Sequence, residues 1–307
     1  MDIFLQQLIN GLTLGSIYAL VALGYTMVYG ILGLINFAHG EIVMVGALVS
    51  LAIVKLLLAA GLPPALVVLA GLGGALLICM ALGLSIERVA YRPLRGAPRL
   101  APLITAIGVS IVLQQLAMLF WGRNYHSVPV LLPAEAHEIF GARITELQLI
   151  IVCVALATMA GLWLLVSRTR LGSAMRATAE NPQVAALMGI DANRIIAATF
   201  AIGSALAALA GVLVSANYGI AHYHMGFMLG LKAFTAAVLG GIGNIAGAML
   251  GGLLLGVIEA LGAGYIGELT GGFLGSNYQD VFAFFVLIVV LVFRPSGLLG
   301  EKVAERA

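Results

Sequence analysis

This sequence predicts an all-α polytopic membrane protein of eight to nine transmembrane helices, with re-entrant or broken segments among them. Three observations carry that expectation. The 307 residues are 62% hydrophobic and only 9% charged, whereas a soluble domain carries about 25% charged residues. The apolar runs reach the ~20 residues that a helix needs to cross the hydrocarbon. Glycine, 39 residues in all, is spread through those runs, as close helix–helix packing in lipid requires.

In chain order the spans are read at residues 5–28, 42–60, 65–84, 100–120, 147–166, 195–216, 227–239, 246–264 and 281–293. The segment 227–239 is short for a full crossing and is read as re-entrant or broken. The whole chain reads as a single transmembrane domain, 1–307, with a cytoplasmic loop at 167–194. No Lys or Arg precedes Lys55 and the first span runs directly into more membrane, so no secretory signal is expected. Cys79 and Cys153 both lie in apolar runs, which indicates neither a disulfide framework nor a metal site. A formal net charge of +2 gives no footprint for nucleic acid.

Orientation follows from the basic residues of the short loops. Arg88, Arg92, Arg95 and Arg99 fall in the loop 85–99. Arg168, Arg170, Arg176 and Arg194 fall in 167–194, and Arg294, Lys302 and Arg306 in the tail. These regions are expected on the cytoplasmic side. The loop 121–146 sets Arg123 and Arg143 against Glu135, Glu138 and Glu146, and the loop 265–280 has Glu268 and Asp280 with no base, so both are expected outside. Nine crossings, N-terminus out and C-terminus in, satisfy that pattern.

The polar island 167–194 holds a short helix with marked ends. Asn181 is a good N-cap, Pro182 follows at the first helical position, and Gly189 stops the helix in a left-handed conformation. Gln183, Ala185 and Ala186 fall within its roughly two turns. A helix that short is unstable alone in water and needs a surface to dock on.

Several polar groups fall within or between apolar runs. Asn36, His39 and Glu41 sit between the first two spans, either as a wet turn in which Asn36 and Glu41 cap helix ends or as a broken helix lining a pathway. Lys232 either snorkels to the interface or pairs with Glu259. Glu259, deep in its span, alternatively faces a watery cavity; ionisable groups in lipid seek water or a partner. Gly247, Gly251, Gly252 and Gly256 give small-xxx-small spacing, which suits helix packing. His222 and His224 lack a nearby Cys, Asp or Glu and read as an interfacial pair rather than a metal site. There is no Gly-x-x-x-x-Gly-Lys-Ser/Thr motif, so uphill transport driven by ATP would need an ATPase on another chain.

Several stretches resemble a known family. These are Asn10-Gly11-Leu-Thr-Leu-Gly15-Ser-Ile-Tyr18, Gly24-Tyr25-Thr-Met-Val-Tyr29-Gly30 and Ile35-Asn36-Phe37-Ala38-His39-Gly40-Glu41. Glu87-Arg88-Val-Ala-Tyr91-Arg92-Pro93, Lys232 through Gly243 and Arg294-Pro295-Ser-Gly297-Leu-Leu-Gly300 continue the likeness over nearly the whole chain. They resemble the permease subunits of ABC importers for branched-chain amino acids, most closely the H-type subunit. The resemblance implies a homologous second permease, two cytoplasmic ATPases, an extracytoplasmic binding protein and an amino-acid substrate. It implies a bacterial cytoplasmic membrane location and no cofactor bound by this chain. The family's Glu-Ala-Ala-x-x-x-Gly coupling motif is similar to Gln183-Val184-Ala185-Ala186-Leu-Met-Gly189, with Gln for Glu and Val for Ala at the first two positions.

The resulting expectation is a permease subunit working by alternating access, with Asn181, Pro182, Gln183, Ala185, Ala186 and Gly189 at the ATPase contact and Asn36, His39, Glu41 and Glu259 along the pathway. Its first rival is the same machine moving urea or short amides. The second is an ion-coupled secondary transporter using Glu41, Lys232 or Glu259. A structural or enzymatic role has no supporting constellation.

Overall fold

The computed structural model describes residues 2–98, 100–131, 135–139, 141–270 and 278–300. Among these, seven helices are long and apolar enough to cross a membrane: α1 (Asp2–Leu32), α2 (His39–Ala59), α3 (Pro64–Ile86) with its continuation to Leu94, α4 (Leu100–Trp121), α5 (Glu146–Arg168), α8 (Ala192–Tyr218) and α10 (Ile245–Leu269). Two shorter apolar helices join them, α9 (Met225–Gly240) and α11 (Gln279–Phe293). All nine apolar runs are therefore helical, and the chain is a multi-pass all-α membrane protein. The 16 residues of α9 give a rod of about 24 Å, short of the ~30 Å hydrocarbon thickness. Arg99, Ala134, Lys302 and Arg306, residues 271–277 of the acidic loop and the side chain of Glu268 lie outside the described residues.

The chain folds into two compact units with interleaved segments. One comprises Met27–Leu132 and Ala160–Leu231; the other comprises Met1–Thr26, Pro133–Met159 and Lys232–Ala307.

In the unit of residues 27–132 and 160–231, helices α2, α3 and α8 pack on one another. Small residues set that packing. A Cβ placed on Gly46 would stand 2.7 Å from the Ala208 Cα, and one on Gly71 would stand 2.8 Å from the Val54 Cγ2. Contacts that close leave no room for a side chain: at Gly46 the backbones meet, and at Gly71 the Val54 side chain fills the place a Cβ would take. Met44, Ala47, Leu48, Leu51, Ala117 and Ala221 form a buried cluster covered by Trp121, Tyr223 and Met225. A two-residue antiparallel pair, β1 (His126–Ser127) with β4 (Ile220–Ala221), closes it, with His126 opposite Ala221.

In the unit of residues 1–26, 133–159 and 232–307, α1 and α10 cross through glycines on both helices. A Cβ on Gly11 would meet the Val257 Cα at 2.6 Å, and one on Gly15 the Leu253 Cα at 2.8 Å. Gly252 and Gly256 face Ala19 and Gly15 in return. The small-xxx-small spacing is thus a packing seam. The hairpin β2 (Ala136–Ile139) with β3 (Ala142–Thr145) is held by Gln6, whose amide donates to the Arg143 carbonyl (3.0 Å) and accepts from the Arg143 N–H (2.8 Å).

Candidate functional site

Asn36, His39 and Glu41 sit where α1 has ended and α2 begins, and each is only 1% exposed. They do not form a wet capping turn. Ala38 is the N-cap of α2, and no side chain caps there. Asn36 Oδ1 instead accepts from the Ala38 N–H (3.1 Å) and from the Tyr91 hydroxyl (2.9 Å). Glu41 lies inside the first turn of α2, where its Oε1 accepts from Gln114 Nε2 (2.6 Å) and Ser110 Oγ (3.1 Å) of α4. Glu41 Oε2 and Asn36 Nδ2 are buried and have no hydrogen-bond partner among the described residues. Oε2 faces the start of α9, 2.8 Å from where a Gly226 Cβ would stand. Burial overrides capping because the turn is covered by neighbouring helices, so these groups meet side chains rather than water.

Glu259, also 1% exposed, pairs with Lys232. The ammonium stands 2.6 Å from Glu259 Oε1 and 2.7 Å from Asp280 Oδ1. It also lies 5.8 Å from the Tyr18 ring centroid, in cation–π range. Two carboxylates therefore share one ammonium, and the snorkelling alternative for Lys232 does not hold. Close by in sequence, the Arg294–Gly300 stretch docks on the turn after α9. The Leu298 and Leu299 N–H groups donate to the Leu239 and Gly240 carbonyls, both at 2.9 Å, and Asn244 Nδ2 donates to the Leu299 carbonyl (2.9 Å). Two of the motifs singled out in the sequence thus meet in space.

The basic loop is built from three helices capped in succession. Thr169 caps α6 (Arg170–Glu180), its hydroxyl accepting from the Gly172 N–H at 3.1 Å. Asn181 caps α7 (Pro182–Leu187), its Oδ1 accepting from the Gln183 and Val184 N–H groups at 2.9 and 3.1 Å. Gly189 has φ +81°, and the Ile190 N–H returns to the Ala185 carbonyl at 3.0 Å, which closes a Schellman stop. Asp191 then caps α8 through the Asn193 and Arg194 N–H groups. Ala185 is the buried residue of α7, while Gln183, Val184 and Ala186 are exposed, with Leu187 at 87% and Met188 at 79%. The loop therefore presents an apolar tip on an otherwise polar segment.

The 85–99 loop is mostly helical, a correction to its reading as a plain loop. α3 runs on into a π turn, Glu87–Tyr91, and a 3₁₀ turn, Arg92–Leu94. Glu87 is buried. Arg92 grips it with two donors, at 3.1 Å (Nε) and 2.8 Å (Nη2), and Arg95 adds a second ion pair. Burial pushes the Arg95 guanidinium down from its ordinary value while the Glu87 carboxylate raises it. Arg95 also donates to Asn193 Oδ1 at the start of α8. His222 Nε2 donates to the Arg123 carbonyl (3.1 Å) and its ring stacks on Tyr125, and the His224 ring stacks on Phe227. Among the described residues no group of three or more His, Cys, Asp or Glu is placed to hold a metal ion.

Sequence reasoning missed four participants: Glu87, Asp280, and the pair Ser110 and Gln114. Glu87 had a signal, as the one acid among the arginines of its loop. Gln114 had a weaker one, as half of a Gln-Gln pair in an apolar span. Asp280 lies 48 positions from Lys232 in the sequence, and no local pattern joins them.

A multi-pass helical protein that buries paired charges among glycine-packed spans, and projects a capped helix from a basic loop, is a membrane transporter by class. Residues 7–291 match the family described as branched-chain amino acid transport system / permease component, and the chain belongs to that family. It is 51% identical to the high-affinity branched-chain amino acid transport system permease protein BraD of Pseudomonas aeruginosa, over 99% of this chain and 98% of that one. It is 49% identical to the permease protein LivH of the system so named in Escherichia coli K12, over 99% of this chain and 97% of that one. A more distant likeness, 33% over 43% of this chain and 39% of the relative, is to the autoinducer 2 import system permease protein LsrC of Photorhabdus laumondii. No solved structure matches the chain.

Proposed function

We propose that the chain is one permease subunit of an ATP-driven importer that carries branched-chain amino acids across the bacterial cytoplasmic membrane. The near-full-length identity to permeases so named carries this reading. A homologous second permease completes the pathway, two cytoplasmic ATPases bind beneath it, and an extracytoplasmic binding protein delivers the solute. ATP is hydrolysed on the partner subunits, and this chain binds no cofactor. The exposed tip of α7, held by the Asn181 cap and the Gly189 stop, supports a docking role for residues 181–189. Closure of the ATPase dimer pushes on α7, and the spans reorient. Asn36, His39, Glu41 and Glu259 line the solute pathway between the spans that reorient. The basic loops 85–99 and 167–194 face the cytoplasm.

Reconstitution of all subunits in proteoliposomes tests this. Leucine accumulates only with ATP and binding protein present, and collapsing the proton and sodium gradients leaves it unchanged. Accumulation of urea in place of leucine moves the assignment to the short-amide machine. Gradient-driven uptake by this chain alone, lost when Glu41 or Glu259 is neutralised, moves it to an ion-coupled transporter. Gly189→Val forces a β-branched residue into a left-handed backbone; normal membrane insertion with lost ATPase retention is the expected result, and normal transport excludes the docking role.

A further inference from the structure

The contacts of the residues 27–132 and 160–231 unit form two runs of polar contacts, joined by the backbone of one turn, from the basic loop to the buried turn at the head of α2. It starts at Asp191, which caps α8 beside the Gly189 stop of α7. The next residue but one, Asn193, accepts from Arg95. Arg95 and Arg92 are fastened to the buried Glu87. Glu87 opens the π turn that ends at Tyr91. The Tyr91 hydroxyl donates to Asn36 Oδ1, and that same oxygen receives the Ala38 N–H at the N-cap of α2. Side-chain contacts on either side of one backbone turn therefore connect the exposed loop to the N-cap of a spanning helix.

The π turn makes this chain more than a static brace. Its defining bond, from the Arg92 N–H to the Glu87 carbonyl, spans five residues instead of four. Such turns hold one residue more than an α-helix does, and they concentrate at functional sites. Returning to α geometry rotates everything beyond it by about 100° and shifts it by about 1.5 Å. A turn of that size removes the Tyr91 hydroxyl from Asn36. A π turn and the α turn it would relax to are two discrete arrangements of the kind that carrying a signal between distant sites needs. Glu87 sits at its start with both arginines attached, so a pull on Arg95 through Asn193 acts on the turn itself. Tyr91 at its end is nearly fully buried, with its ring 5.3 Å from that of Phe200.

We propose that the π turn Glu87–Tyr91 is the lever that passes movement of the α7 loop to the Asn36 turn at the head of α2, with Glu87 and Tyr91 as positioning residues for transport. This rests on the importer reading above and names the part of the chain through which its partner's ATP cycle acts.

The test uses the complete reconstituted transporter and reads leucine accumulated per ATP hydrolysed. Tyr91→Phe removes one hydroxyl and leaves the ring against Phe200. Membrane level and co-purifying ATPase stay at the wild-type level, ATP hydrolysis continues, and transport per ATP falls roughly threefold to tenfold, the worth of one hydrogen bond. Glu87→Gln, which releases both arginines, lowers the same ratio at least as far. Asn36→Ala lowers it too, and the Tyr91→Phe/Asn36→Ala pair does no worse than the poorer single variant, because both delete one shared contact. An unchanged ratio in Tyr91→Phe overturns the proposal. So does a loss of subunit assembly in that variant, which is the signature of a merely structural contact, and so does a double variant whose losses multiply. If the wild-type complex itself fails to accumulate leucine with ATP, the importer reading falls instead, and the two failures are told apart by that control.

Discussion

Two carboxylates, Glu41 and Glu259, are buried to the same degree and held in opposite ways. Glu259 has a full counter-charge in Lys232, which it shares with Asp280. Among the described residues Glu41 has only neutral donors, the Ser110 hydroxyl and the Gln114 amide, both on the same oxygen. The first arrangement binds helices α9, α10 and α11 by charge, and loss of one partner leaves a bare ion in an apolar interior. The second ties α2 to α4 by hydrogen bonds that an amide could make equally well. A buried acid is therefore not one kind of feature: its partner decides whether it locks the fold or merely adjusts it.

The sharpest way to break the contrast is Lys232→Met. It leaves Glu259 and Asp280 facing each other with no cation, and removal of one member of a buried pair costs about 3–5 kcal/mol. Thermal unfolding of the purified protein should drop accordingly, and adding Glu259→Gln should recover part of the loss. A Lys232→Met protein as stable as wild type would show that the triad is solvated. Glu41→Leu should cost less, about 1–3 kcal/mol, since it strands the Ser110 and Gln114 donors without leaving a bare charge. Glu41→Gln, which keeps an acceptor, should cost less again. Should Glu41→Gln prove as damaging as Lys232→Met, the charge at Glu41 matters as such and the contrast is lost. Ser110→Ala is the mildest, at about 0.5–1.5 kcal/mol, because Gln114 still donates to the carboxylate.

Elements were legible where one residue type has one use. Asn181-Pro182 and Gly189 mark the ends of α7 because cap, first turn and left-handed stop each demand a particular backbone chemistry, and that chemistry is local. The nine apolar runs were legible for the same reason. Partnerships were not. That Asn36 receives the Tyr91 hydroxyl depends on a residue 55 positions away, and a polar side chain looks identical in sequence whether water or a protein group satisfies it. The π turn was hidden for a different reason. Its residues have ordinary helical character, and the extra residue it holds is a matter of register that no residue type marks.

At the crossing of α2 with α9, Gly40 faces Gly226 and Gly230. A Cβ on Gly40 would lie 2.5 Å from the Gly226 carbonyl oxygen and 2.8 Å from the Gly230 Cα. Most helix pairs mesh like gears, knob into hole, and slip only by lifting one tooth over another. This pair has few teeth: peptide lies against peptide at Gly40, Gly226 and Gly230, and the side-chain atoms at the contact are Glu41 Oε2 and Met44 Cβ, 2.8 and 2.9 Å from where a Gly226 Cβ would stand. A shift along such a contact has fewer side chains to lift than one along a meshed pair, at the place where the Asn36 turn feeds into α2.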